Sequence, residues 1–157
     1  MADKTKLGME FPPYAYVVEK GKIAEFAMAV SQKESKGQVK PIYVDSEAAK
    51  AAGYGDIIPS PTFETCFALW GSEGLMPMLQ ALGINLGRLL HGEEEFEYLA
   101  PIHPGDTMHG RTRVVDMYDK EKKDKPGKVM EFTVIETEVT NQRGEPVIRA
   151  RTTLVER

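Results

Sequence analysis

A single cysteine, Cys66, stands among 157 residues. One thiol closes no internal bridge, so the chain does not depend on disulfides and suits a reducing compartment. No apolar run approaches the ~20 residues that cross a bilayer. The opening Met-Ala-Asp-Lys-Thr-Lys has no apolar stretch behind it and does not read as a signal peptide. Surplus positive charge is missing too. Twenty Lys and Arg against 24 Asp and Glu leave a net charge of −4, a poor basis for neutralising phosphates. Only three histidines are present, without tight ligand spacing. These absences set four expectations: a cytoplasmic protein, no membrane, no nucleic acid and no metal.

What remains is an ordinary globular composition, 41% apolar and 28% charged. Its length suits one domain with a core of its own. Ile23, Phe26, Ala27 and Val30 recur at helical spacing and predict an amphipathic helix over 22–30. The prolines of Phe11-Pro12-Pro13-Tyr14 forbid helix there, and Tyr16-Val17-Val18 reads as a short strand. Gln32 to Lys40 reads as a loop and Pro41-Ile42-Tyr43-Val44 as extended chain. Asp45 to Gly53 is a short helix, capped by Asp45 and stopped by Gly53. Ser60 and Pro61 then open a helix over 63–70, whose Phe63, Cys66, Phe67 and Trp70 share one face.

After a connection rich in Gly, Met and Leu, the pattern changes to a period of two. Glu94 to Tyr98, Thr107 to Met117, Val129 to Thr140 and a last strand through Ile148, Ala150, Thr152 and Leu154 alternate. Asn141 to Gly144 is a hairpin turn, and Asp119 to Lys128 a charged loop. The fold class is therefore α+β: a single hot-dog domain over 8–155, with a long central helix wrapped by an antiparallel β-sheet. An open sheet edge would invite a second copy or a relative.

Four segments in order carry a family resemblance: Phe11-Pro-Pro-Tyr14, Pro41-Ile-Tyr-Val-Asp45, Gly53-Tyr-Gly into Pro59-Ser-Pro-Thr-Phe63, and Phe96-Glu-Tyr98 into Pro101-Ile-His-Pro-Gly-Asp106. Together, across Gly8 to Leu154, they resemble the MaoC-like dehydratases, or (R)-specific enoyl-CoA hydratases, in their FAS1-like branch. The resemblance implies hydro-lyase chemistry, the reversible addition of water to an enoyl thioester. It implies no cofactor beyond the thioester substrate, carried on coenzyme A or acyl carrier protein. The family's catalytic motif is Asp-x-Asn-Pro-(Leu/Ile)-His. Carboxylate and imidazole share one water, and a helix-start amide steadies the thioester oxygen.

Here that stretch is Gln38-Val-Lys-Pro-Ile-Tyr43. Gln38 cannot be a carboxylate base, and an ordinary tyrosine, with pKa near ~10, suits proton transfer at neutral pH poorly. The amide position falls at Pro61, which has no N–H, or one residue on at Thr62. The resemblance thus implies the non-catalytic half of a two-part hydratase, paired with a catalytic MaoC-type hot-dog subunit. The substrate-binding residues it implies are Tyr43, Ile58, Pro61, Thr62, Phe63 and Phe67. Two alternatives stay open. One is a self-sufficient homodimeric hydratase with non-standard residues, and the other a non-catalytic acyl-thioester binding module. The remaining polar residues have plainer readings. His103 and Asp106 form a solvated turn, His91 bonds locally, His109 points outward and Cys66 is a small buried hydrophobe. Glu64 either faces the acyl tunnel or lies on a helix surface. Arg88, Arg111 and Arg113 either meet the phosphates of coenzyme A or are solvated.

Overall fold

In a computed structural model that describes residues 3–34, 38–122 and 127–157, the alternating segments pair into one antiparallel sheet of five strands. They are β1 (Tyr14–Val17), β2 (Leu89–Tyr98), β3 (Thr107–Glu121), β4 (Val129–Thr140) and β5 (Pro146–Glu156), in the spatial order β1-β3-β4-β5-β2. The last three pair in sequence order, so β4 sits between its two sequence neighbours. Alternation sets the faces. Met108, Thr112 and Val114 of β3 point to the core, and so do Ile135 and Val139 of β4. The hairpin at 141–144 closes through the Gly144 N–H bonding the Asn141 carbonyl at 2.9 Å.

Among the described residues four α-helices complete the α+β arrangement: α1 (Lys20–Glu34), α2 (Ser46–Ala51), α3 (Thr65–Gly71) and α4 (Leu75–Leu82). Asp45 caps α2 as predicted, accepting from the N–H groups of Glu47 and Ala48 at 2.8 and 3.3 Å, and Gly53 follows with φ +93°. α1 begins two residues earlier than the periodicity indicates. It buries Ile23 and Ala27 but leaves Val30 at the surface.

Three expectations are corrected. Pro41–Tyr43 is a 3-10 turn rather than extended chain, closed by the Val44 N–H on the Pro41 carbonyl at 3.0 Å. Ser60 and Pro61 do not start a helix directly. Turns of the tighter kind, with Phe63 N–H on Ser60 O and Thr65 N–H on Thr62 O, carry the chain into α3. Finally, the connection after the 63–70 helix carries a helix of its own: α3 ends at Gly71, and after a break over 72–74 α4, absent from the sequence reading, follows. The break suits the packing: a Cβ on Gly71 would lie 2.7 Å from the Tyr14 ring, so only glycine lets α3 sit down on β1.

The interior falls into two groups. One gathers Tyr14, Ile23, Phe63, Phe67, Met108 and Ile148 under α1 and α3. The other gathers Leu79, Leu82, Ile84, Val114, Ile135 and Leu154 under α4. Tyr14 reaches β3 only because Gly110, its partner in the strand pairing, has no side chain. A Cβ there would lie 2.1 Å from the ring. The charged stretch after Asp119 continues β3 to Glu121 rather than leaving the sheet at once, and residues 123–126 of the expected loop lie outside the described residues.

Candidate functional site

The segment 38–67 forms one side of the site. Gln38 is exposed, and Tyr43 is half-buried in the 3-10 turn. The Ile42 carbonyl accepts the Ile58 N–H at 3.2 Å, which ties that turn to the following loop. Lys20 anchors the same loop through its Nζ, which donates to Asp56 at 2.8 Å and to Ser46 at 2.7 Å. Hydrogen bonding from Lys20 holds the Asp56 carboxyl down at about 2. On the far side, the Tyr98 hydroxyl donates to the Pro61 carbonyl at 2.6 Å and clamps the loop to β2. A cleft of about 410 Å³ opens beside this clamp, lined by Tyr54, Ile58, Pro59, Tyr98, Leu99 and Ile102.

The expected site residues therefore separate. The structure brings Ile58 onto the cleft and Pro61 against its Tyr98 wall, and it leaves Thr62 exposed. Phe63 and Phe67 are fully buried instead, in a cluster of edge-on rings with Tyr16 and Phe26, and are not among the walls of this cleft. Trp70, placed with them by spacing, is 74% exposed because α3 ends one residue later.

A second cleft of about 240 Å³ lies at the seam between the two core groups. Phe11, Tyr14, Leu69, Met78, Thr137 and Leu154 are among its walls. Its surface is mostly apolar, and two of its hydroxyls, on Thr112 and Thr137, are spent on each other at 2.9 Å. It can hold an apolar chain but brings no imidazole and only one carboxylate, Glu73. Sequence reasoning missed this cleft because it missed α4, although Leu75, Met78, Leu79 and Leu82 carry the i, i+3, i+4, i+7 signal.

Glu64 is the surprise of this region. It is buried, 4% exposed, not a helix-surface residue, and its carboxyl group makes no hydrogen bond among the described residues, although its backbone carbonyl accepts the Phe67 N–H at 2.8 Å. Burial first, then the negative charge of Glu94, pushes its carboxyl up to about 7. Two phenols are close enough to feel it. Tyr98 is pushed up to about 12, and Tyr14 well above the usual phenol range, each by burial first and by Glu64 second. The Tyr14 hydroxyl and the Ser60 Oγ are also buried, with no hydrogen-bond partner among the described residues.

The histidines sit elsewhere. His91 bonds Glu94 at 2.9 Å, the backbone N–H of His103 donates to Asp106 at 2.8 Å, and His109 is exposed beside the inward Met108. Among the described residues no group of three or more His, Cys, Asp and Glu is placed to hold a metal ion, and no helix is long and apolar enough to cross a membrane. Burial pushes the Cys66 thiol up, away from the reactive thiolate. Arg113 bonds Glu136 at 2.9 Å, and Arg88 donates to the Arg157 carbonyl at 2.6 Å.

Sheet order and helix placement define the class: a hot-dog fold. The same fold occurs in the HadBC complex, a 3R-hydroxyacyl-ACP dehydratase of Mycobacterium tuberculosis (22% identity, 96% of each chain, TM-score 0.74). It occurs again in the ChsH1–ChsH2 complex of that organism (15% identity, 96% of this chain and 98% of that one, TM-score 0.66). The chain belongs to the FAS1-like dehydratase domain family of MaoC-like proteins, whose domain region matches residues 5–150. A UPF0336 protein of Saccharopolyspora erythraea is 36% identical over 156 residues, covering 99% of this chain and 91% of that one.

Proposed function

We propose that this chain is the non-catalytic half of a two-part, MaoC-type hydratase or dehydratase acting on acyl thioesters of coenzyme A or acyl carrier protein in the cytoplasm. The observation that carries the reading is the composition of the family's catalytic stretch. Gln38 is exposed, Tyr43 is half-buried, and among the described residues neither cleft presents a carboxylate beside an imidazole. Without that pair, water is neither deprotonated nor the α-carbon protonated, and the chain contributes binding surface and shape. The Thr62 N–H, which makes no hydrogen bond among the described residues, is the amide left to face a thioester oxygen. Coupled turnover tests the reading. The chain mixed with a catalytic MaoC-type subunit hydrates trans-2-enoyl-CoA faster than that subunit alone. Failure of the mixture to bind or to accelerate would contradict it.

One observation favours a second reading, a self-sufficient enzyme. A buried Glu64 held near neutrality beside two tyrosines has the property expected of a proton carrier. That reading requires turnover by the chain alone and its loss in Glu64→Gln.

A further inference from the structure

The loop that leads into α3 has few ties of its own. Pro59 and Pro61 carry no N–H to donate, and the Ser60 hydroxyl is buried with no hydrogen-bond partner among the described residues. The Ile58 N–H on the Ile42 carbonyl holds one end. Turn bonds from Phe63 to Ser60 and from Thr65 to Thr62 hold the other. Among the described residues, a single hydrogen bond reaches 59–62 from another element. It is that of the Tyr98 hydroxyl, which donates to the Pro61 carbonyl at 2.6 Å.

The identity of that acceptor has a chemical consequence. The Pro61 carbonyl and the Thr62 N–H are the two ends of one peptide group. The group is planar and trans, so its carbonyl and its N–H point in opposite directions. Fixing the carbonyl against Tyr98 therefore fixes the direction of the N–H. A bond to the carbonyl also polarises the amide and strengthens the N–H as a donor, as along any chain of hydrogen bonds. Tyr98 is suited to this. It ends β2, paired with Ile148 of β5, so a strand rather than a loop sets its position. Burial, then the charge of Glu64, pushes its phenol up to about 12, and it keeps its proton at neutral pH. At the far end of the peptide, the Thr62 N–H makes no hydrogen bond among the described residues.

We propose that Tyr98 is a positioning residue: through the Pro61–Thr62 peptide, its hydroxyl aims and polarises the N–H that receives the thioester oxygen. Tyr98 acts only through that amide. Negative charge developing on the oxygen then meets a donor already in place, and no reorganisation is needed at the moment of reaction. This rests on the two-part reading above and deepens it, because it names what the chain supplies to a partner's acid and base.

Hydration of trans-2-hexenoyl-CoA by the chain mixed with a catalytic MaoC-type subunit tests it. Tyr98→Phe keeps the ring and removes the hydroxyl. It should lower kcat about tenfold and leave KM within about twofold, the pattern of an interaction made in the transition state. Tyr98→Leu should lose as much kcat as Tyr98→Phe. Thr62→Pro removes the N–H itself and should lower kcat about a hundredfold. Adding Tyr98→Phe to Thr62→Pro should change kcat by less than about twofold, since the group through which Tyr98 acts is gone. Circular dichroism checks folding, and if Thr62→Pro does not fold, the two Tyr98 variants decide. Wild-type kcat in Tyr98→Phe, with loss confined to Tyr98→Leu, would make the role one of packing and overturn the proposal. So would a full tenfold loss added on top of Thr62→Pro. No acceleration by the wild-type chain would sink the two-part reading and this proposal with it, whereas acceleration untouched by Tyr98→Phe sinks the positioning role alone.

Discussion

The two edges of the sheet are built in opposite ways. β1 is four residues long and lies beneath α3, with Gly71 against its backbone and Tyr14 folded over Gly110. β2 is ten residues long, exposed at eight of them and acidic. At the first edge the chain finishes its own core. At the second, Leu89 and Phe96 pack on the core and Tyr98 bonds Pro61, while the rest of the strand stays exposed.

Stability measurements can break that comparison. The largest effect belongs to the sealed side. Phe63→Ala removes a fully buried ring touching Tyr16, Phe26 and Phe67, and should cost about 3–5 kcal/mol in urea denaturation. Glu64 comes next and depends on pH. Its carboxyl rises from an ordinary 4.5 to about 7 in the folded chain. Between those values the folded state binds more protons than the unfolded one. Its contribution is therefore most favourable below about pH 4.5, declines as pH rises, and has been lost once pH passes the folded value. Glu64→Gln should flatten this slope, gaining about 3 kcal/mol at pH 8 and almost nothing at pH 4. The smallest effect belongs to the open edge. Glu95→Gln should leave the stability of the isolated chain within about 0.5 kcal/mol. A loss comparable to Phe63→Ala would mean that β2 supports its own domain after all.

The strands were legible because a period of two survives any tertiary context. β4 spans the residues its alternation marks, 129–140, and Asp45 caps the helix it was expected to cap. The helices were less legible, because apolar spacing tells which residues seek cover but not whether this chain supplies it. Trp70 and Leu69 follow Phe67 on an apolar helix, yet they are 74% and 52% exposed, since nothing among the described residues covers that end of α3. Glu64 misled in the opposite sense. A charged residue at the start of a helix reads as solvated until β1 and β2 are folded around it. That Gln38 and Tyr43 supply neither a carboxylate nor an imidazole was legible from residue type alone, and neither of the two clefts described above presents such a pair.

Hydration of a trans-2-enoyl-CoA series by the purified chain alone, followed by loss of enoyl absorbance at neutral pH, tests the central claim most directly. The account predicts no turnover at any acyl length, because neither cleft brings a carboxylate beside an imidazole. Clear turnover, lost in Glu64→Gln, would contradict it and make this chain an enzyme in its own right.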